Sequence, residues 1–397
     1  MKALQETPVD PKNCTGCQTC RLVCPKKAIT IAFDSEGFQM PQIDQSLCVR
    51  CGLCESKCPQ KQPLAFRGSA CVKAYGARLK DDKLLSKSAS GGVFAGMAAR
   101  WLSAPGSAVF GSAFDSDIVA KQRKASSMSE AASMQGSKYV QSDTGDSFLE
   151  TKEFLEAGNA VLYSGTPCQI AGLYAFLGKD YEKLLTIDLV CHGTPSPLLF
   201  KRYLEWMEKK HGGKIVGYGF RVKDKAGWDM GCYARTEAKE IYPFHMTDPY
   251  FNGFLVNATL RECCFSCKQA KPERVSDLTI CDYWGVEAEH PEKYDKRGVS
   301  AVMANTEKGK QAFDAQLGDY DCFDTTYEKI EKHNGCLVSP STRSPHRDRA
   351  FRHMPEPGFA VIDDLISLMP PFKRRLLDFL YSMPFDAISL ARGCKKR

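Results

Sequence analysis

Eight cysteines near the N-terminus repeat one spacing. The pattern Cys14, Cys17, Cys20, Cys24, Pro25 recurs 34 residues later as Cys48, Cys51, Cys54, Cys58, Pro59. In a CxxCxxCxxxCP run, three thiolates bind one 4Fe-4S cluster and the fourth binds the other. We therefore predict one cluster on Cys14, Cys17, Cys20 and Cys58, and a second on Cys48, Cys51, Cys54 and Cys24. Zinc is the alternative, but zinc sites usually close with two separated pairs of ligands.

Four of the remaining cysteines stand where metal ligands are useful. Cys168 opens a predicted helix after a strand, and Cys191 closes the next strand. The carboxyl ends of parallel strands meet at one edge of a sheet, where sites gather. Cys264 and Cys267 add a CxxC pair further along. From the residues alone, a further metal site, half a zinc site and buried free thiols all stay open.

Two iron-sulfur clusters move single electrons only, so a chain of 397 residues needs something at the end of that path. No GxGxxG follows a strand and no GxxxxGK[ST] occurs, which excludes the standard dinucleotide and P-loop motifs. A flavin converts between one-electron carriers and two-electron hydride chemistry. We therefore predict FAD in the larger part of the chain.

The elements that must position these residues follow two patterns. Apolar runs around Ser35-Glu36-Gly37 predict a hairpin inside the cysteine repeat. From Ala70 onward, strand-like runs alternate with helical segments, which is typical of βα units and a parallel or mixed sheet. The predicted class is α/β, or α+β overall, with domains at 1–66 (ferredoxin), 67–330 (flavin and iron-sulfur) and 331–397 (a helical extension). Residues 372–383 predict an amphipathic helix that docks on the body, with membrane-surface contact as the lesser alternative.

Composition limits the partners. The net charge of +7 is spread along the chain, and basic stretches are not interleaved with stacking aromatics, which disfavours nucleic acid. Neither a leader nor a run of about 18 apolar residues is evident, and 19 cysteines suit a reducing compartment. We expect a cytoplasmic protein without a membrane span, its oligomeric state undetermined.

Several segments, in this order, resemble the coenzyme F-420 hydrogenase/dehydrogenase beta-subunit family: SASGGVFAGMA, GSKYVQS, YSGTPCQIAGL, DLVCHGTPSP and RECCFSCKQAKPERVSDLTICDYWG. The likeness covers about residues 70 to 320, and many longer members carry an N-terminal double ferredoxin. Members are flavin and iron-sulfur oxidoreductases. The resemblance implies a third 4Fe-4S cluster on Cys168, Cys191, Cys264 and Cys267. The sequence departs from the family at Cys263 and at Cys281, which stands where glycine is usual, so the choice between Cys263 and Cys264 stays open.

The resemblance also implies a flavin site. Its SASGG segment offers Ser90, Gly91 and Gly92 at a helix start for a pyrophosphate. Further candidates are Ser137, Lys138 and Tyr139 for a phosphate, and Gly165, Thr166 and Gln169 for the ring. His192 is the candidate proton donor, with a supporting hydrogen-bond role as the alternative.

The implied function is an FAD-dependent iron-sulfur oxidoreductase that exchanges electrons with a two-electron organic substrate, deazaflavin-like or other. Its expected partners are a redox protein, either ferredoxin or a partner enzyme, and a small molecule. The alternative is a non-catalytic electron-transfer subunit of a larger redox complex. Substrate and direction of electron flow are not fixed by these motifs.

Overall fold

The computed structural model describes residues 7–62, 64, 67–223, 228, 231–241, 248–372 and 375. The cysteine repeat folds around the predicted hairpin, β1 (Ile29–Phe33) and β2 (Gln39–Ile43), which pair antiparallel. Each cysteine loop leads into one turn of helix, α1 (Thr19–Leu22) or α2 (Leu53–Ser56). The hairpin prediction is confirmed.

The two halves of the repeat share their backbone as well as their cysteines. Gly16 and its repeat partner Arg50 both have positive φ, at 69° and 54°, and so do Gln18 and Gly52, at 64° and 72°. At each position, one half of the repeat has glycine and the other has a residue with a side chain. For that residue the left-handed backbone conformation costs about 1 kcal/mol of free energy. The loop conformation is thus required by the cysteine spacing and not by glycine alone.

The body is built on an eight-stranded mixed sheet in the order β13-β3-β12-β11-β7-β6-β4-β5. Its four parallel strands, β11, β7, β6 and β4, stand in the middle, and antiparallel strands flank them on both sides. The strands of the body are β3 (Lys73–Leu79), β4 (Ala108–Phe114), β5 (Ala120–Ala125), β6 (Val161–Ser164), β7 (Leu184–Leu189), β11 (Leu278–Asp282), β12 (Ser300–Ala304) and β13 (Tyr320–Thr325). A small antiparallel sheet holds β8 (Ile215–Phe220), β9 (Cys232–Thr236) and β10 (Glu240–Ile241).

Helices cover both faces of the large sheet, so its strands are apolar on both sides. Val109 and Leu162 face one core, and their neighbours Phe110 and Tyr163 face the other. The longer helices are α4 (Val93–Leu102), α6 (Ser147–Glu156), α7 (Pro167–Leu177), α8 (Pro197–His211), α9 (Pro249–Leu255), α11 (Glu307–Asp314) and α14 (Ala360–Leu368). Short ones are α3 (Asp82–Ser86), α5 (Met128–Ala131), α10 (Val286–Glu289), α12 (Tyr327–Glu331) and α13 (Arg347–Ala350). The predicted α/β class with a mixed sheet is confirmed.

Residues beyond 331 pack on both the body and the cysteine repeat. Helix α14 joins the core of α8 and α9, where Phe351 also packs against Phe38 of the hairpin. The Arg347 guanidinium forms an ion pair with Glu36 and donates to the Leu260 carbonyl at 2.9 Å. Apart from residues 372 and 375, the predicted helix at 372–383 lies outside the described residues, as does the predicted domain end at 66. No helix in the described ranges is long and apolar enough to cross a membrane.

The hairpin turn allows a test of how firmly the ferredoxin part is attached. A Cβ on Gly37 would lie 2.4 Å from the Leu198 Cβ and 2.8 Å from the Ser196 Oγ, at φ 78°. We expect Gly37→Ala to destabilise the protein by about 3 kcal/mol, since overpacking adds to the cost of φ. The matched control is Gly158→Ala, at φ 81° in open space, which should cost about 1 kcal/mol. Thermal unfolding of both variants measures the difference, and equal midpoints would contradict a tightly packed hairpin.

Candidate functional site

Six of the first eight cysteines lie close to cysteines of the same or the opposite run. Burial raises the pKa of Cys20, and the nearby thiolates of Cys17, Cys14 and Cys58 raise it further. Burial likewise raises the pKa of Cys54, whose neighbours include Cys24. The fourth cysteine of each run therefore lies with the opposite run, as expected for two interleaved clusters.

The second group joins four cysteines from three segments. Cys168 opens α7, Cys191 follows β7 by two residues, and Cys264 and Cys267 lie in and just after the turn Glu262–Ser266. Burial raises the pKa of Cys191, and the neighbouring thiolates of Cys264, Cys168 and Cys267 raise it further. Burial also raises the pKa of Cys168 to about 12. The sheet edge and the CxxC turn thus bring the predicted ligands of a third cluster together.

Cys264 lies beside Cys191 and Cys168, two of the other predicted ligands. The Cys263 thiol hydrogen-bonds to Cys264 and lowers its pKa, and Thr194 lowers it further. Cys263 is buried and its own pKa is raised by the same bond. Cys281 faces Asp282 and Arg274 instead of the four-cysteine group.

Among the described residues, no three His, Cys, Asp or Glu side chains lie close enough to hold a single metal ion. A 4Fe-4S cluster binds each thiolate at a different iron, so its ligands stand further apart than those of one ion.

Helix α7 connects the two cysteine groups, because it carries Cys168 in its first turn and contacts the first cysteine loop further along. Pro167 occupies its first turn, and Thr166 and Gln169 form a reciprocal capping box. One and a half turns later, the Gly172 carbonyl accepts a hydrogen bond from Thr19 Oγ1 at 2.8 Å. A Cβ on Gly172 would lie 2.8 Å from the Cys17 Cβ, so only glycine permits this approach. The first cluster loop therefore rests directly on the helix that carries Cys168.

A cavity of about 390 Å³ opens beside these cysteines, within the range of small-molecule and cofactor sites. Its wall includes Cys168, Cys191 and, from the first cluster loop, Thr15 and Gly16. Nearly all the predicted flavin residues also line it: Ser90, Gly92, Ser137, Lys138, Tyr139, Gly165, Thr166 and Gln169, together with His192. Gly91 is outside the wall, and its N–H donates to Ser300 Oγ at 2.9 Å.

The start of α4 faces this cavity. Gly92, with φ 80°, is its N-terminal cap, and Val93, Phe94 and Ala95 line the wall. The first N–H groups of a helix have no partner within the helix and carry partial positive charge, so they suit a phosphate. Ser90, by contrast, donates its hydroxyl to the Val299 carbonyl at 3.0 Å.

Hydrogen bonds from the Lys138 side chain to nearby backbone carbonyls fix the loop at 137–139. Lys138 Nζ donates to the carbonyls of Ser133 and Gln135, at 3.0 and 2.9 Å, and to that of Gly136. Burial lowers the pKa of Lys138 to about 7. Because an ammonium has three donors, Lys138 shapes the cavity wall and has none left for a direct phosphate contact in this conformation.

Two groups in the wall were not identified from the sequence. Gln122 is 8% exposed, and its Oε1 has no hydrogen-bond partner among the described residues. The buried Arg221 forms a two-pronged ion pair with Asp282, at 2.9 and 3.0 Å, and donates to the Tyr139 hydroxyl. No motif marks either residue, since a single glutamine or arginine carries no local signal that it will line a cavity.

His192 is fixed on the cavity wall by its neighbours. Its Nε2 lies 2.6 Å from Asn257 Oδ1, and its ring packs edge-on against Phe254. Its other ring nitrogen lies 3.9 Å from the Cys336 Sγ. Because Oδ1 only accepts, Nε2 carries the hydrogen in this contact.

Comparisons with known proteins gave matches in two parts of the chain. The family model for the C terminus of the coenzyme F420 hydrogenase/dehydrogenase beta subunit matches residues 158–321, and a 4Fe-4S dicluster domain model matches residues 13–62. Among solved structures, the chain is similar to one from the xenon-derivatised F420-reducing NiFe hydrogenase complex of Methanosarcina barkeri. The two share 16% identity with a TM-score of 0.45, over 80% of this chain and 93% of that chain. The comparison with curated proteins gave no match.

The first match spans α7 and the CxxC turn, and the second spans the cysteine repeat. Residues 158–321 therefore match the C-terminal family of the coenzyme F420 hydrogenase/dehydrogenase beta subunit, and the chain is an iron-sulfur electron-transfer protein with a 4Fe-4S dicluster domain.

Proposed function

We propose that this chain is an FAD-dependent iron-sulfur oxidoreductase that moves electrons between its 4Fe-4S clusters and a two-electron organic substrate. The observation that carries the proposal is the cavity itself, whose wall takes Thr15 and Gly16 from the first cluster loop and Cys168 and Cys191 from the other cysteine group. A cofactor bound there lies next to both groups. FAD would supply the exchange between one-electron and two-electron carriers.

The residues present fit FAD. The N-terminus of α4 at Gly92 suits its pyrophosphate, and the unpartnered Gln122 Oε1 suits a donor such as the ring N–H of a flavin. Gly165 leaves space for the capping residue Gln169, because a Cβ there would lie 3.1 Å from the Gln169 Oε1. Thr166 and Gln169 act by fixing the start of α7, and His192 is the proposed proton donor.

The third cluster is part of this proposal. Its ligands would be Cys168, Cys191, Cys264 and Cys267, with Cys263 as a hydrogen-bonding neighbour. Cys168 also lies near Cys17 of the first cluster, which contributes to its raised pKa after burial and the nearer thiolates. This nearness supports a continuous path of clusters.

The flavin prediction tests the proposed function directly. Anaerobically purified, cluster-loaded protein should release FAD on denaturation. We expect Gln122→Leu to weaken FAD binding about tenfold, the worth of one hydrogen bond to a buried acceptor. Gln316→Leu is the matched control, because Gln316 is also buried with an unpartnered Oε1 but lies outside the cavity wall. Titration of flavin-free protein with FAD gives both affinities, and cluster-loaded protein that neither contains nor takes up flavin overturns the proposal.

The third cluster is tested by iron content. Cys168→Ser should lower the iron by about four per chain, since a 4Fe-4S cluster needs its four thiolates. Cys263→Ser and Cys281→Gly should leave the iron unchanged, because neither residue is a proposed ligand. Iron analysis with EPR of the reduced state measures each variant. About eight irons in both the parent protein and Cys168→Ser would remove the third cluster.

A second candidate function is a non-catalytic electron-transfer subunit. It is supported by the exposed Cys51 loop, where a partner enzyme can dock. If the chain is itself the enzyme, chemically reduced protein should transfer electron pairs to a deazaflavin with no partner present. Anaerobic absorbance spectra follow both cofactor and acceptor, and reoxidation only after a partner enzyme is added would favour the subunit.

A further inference from the structure

The loops around the second cluster form an exposed surface in the part of the chain that the structure describes. Cys51 and Gly52 are exposed, as are Leu47 and Val49, whose relative exposures of 52% and 59% are high for large apolar residues. By contrast, Cys14, Cys17 and Cys58 of the first cluster are buried. The second cluster thus lies at the outer end of the cysteine path, and exposed apolar side chains mark contact sites.

The same surface is basic. The segments 24–28 and 44–62 contain five basic residues, Lys26, Lys27, Arg50, Lys57 and Lys61, and two acidic residues, Asp44 and Glu55. Lys61 pairs with Glu55 at 2.6 Å. The segments are neighbours, because the Asp44 N–H donates to the Ala28 carbonyl at 2.8 Å and Cys24 lies near Cys54. We define the docking surface as Lys26, Lys27, Leu47, Val49 and Arg50.

We infer that the docking surface receives a small acidic one-electron carrier protein. Exposed apolar residues among charges of one sign are typical of transient interfaces, in which the charges steer encounter and the apolar contact fixes orientation. A carrier of opposite charge is therefore the partner that this surface fits. This inference rests on the proposed electron path and adds the point at which electrons enter or leave it.

The electron count agrees with a transient contact. Each encounter with a reduced carrier oxidises the carrier by one electron and reduces this chain by one. A two-electron substrate therefore requires two encounters, and the first carrier must leave before the second binds. Small, salt-sensitive interfaces permit such exchange, because their affinity is low and their association is fast.

The test uses the full, cluster-loaded protein and, as the probe, an oxidised acidic ferredoxin that holds a single iron-sulfur cluster. Binding should weaken with added salt. Lys26→Glu combined with Lys27→Glu should weaken it about tenfold, since two favourable charges are replaced by two unfavourable ones at a screened surface. Leu47→Ser combined with Val49→Ser should weaken binding with little change in salt dependence. Calorimetry or biolayer interferometry measures these affinities without any turnover.

The matched control is Lys83→Glu combined with Lys293→Glu. Both lysines are exposed, and they lie in α3 and after α10. It changes the net charge equally and should leave binding unchanged. A loss equal to that of the docking variant would assign the effect to net charge and overturn the inference. So would absence of ferredoxin binding at low salt, or self-association abolished by the docking variant, which would identify a second copy as the occupant. Flavin and iron contents equal to the parent show that the proposed function stands even if docking fails.

Discussion

The buried guanidinium of Arg261 is the interaction that joins the two cysteine groups into one unit. It donates to the Cys14 carbonyl at 2.6 Å, to the Gln39 carbonyl at 3.0 Å and to Gln141 Oε1 at 3.0 Å. These acceptors come from the first cysteine loop, the hairpin and the body, while Arg261 itself precedes the CxxC turn. A buried charge is tolerated only when its donors are satisfied, so each segment depends on the others. Burial raises the pKa of Cys14, and the charge of Arg261 opposes part of that rise.

This constraint changes the expectation that residues 1–66 form a separate module. Their own repeat and their own ligands suggest a part that can be removed while the body still folds. If residues 1–66 were removed, the Arg261 guanidinium would lose its hydrogen bond to the Cys14 carbonyl. Gly172 would lose its contact with Thr19, and Arg347 would lose its ion pair with Glu36. Thr15 and Gly16 would also leave the cavity wall. The repeat is a recognisable sequence unit that packs closely against the body.

The sequence was most informative where chemistry dictates local spacing. The cysteine repeat, the hairpin and the start of α7 after Thr166 follow from ligand geometry, alternation and capping, and all three are found. Gln122 and Arg221 were not predicted, because their role depends on which strands pair, and a single glutamine or arginine carries no local signal. Gly91 shows the reverse. The glycine pattern suggested a phosphate contact, whereas its N–H is bound by Ser300 and its small size is required by packing against the Ala77 carbonyl.

A rigid connection between the cysteine groups also determines where exchange with the outside takes place. A swinging module can carry electrons to a distant site, but one fixed by Arg261 and Gly172 cannot move without exposing buried polar groups. The inner end of the path is enclosed beside the cavity, and the outer end lies at exposed Cys51. In the proposed function, substrate and electron carrier therefore meet the protein at two different surfaces. Because those surfaces do not overlap, the proposed carrier can exchange twice for each substrate without displacing it, as two-electron chemistry fed by single electrons requires.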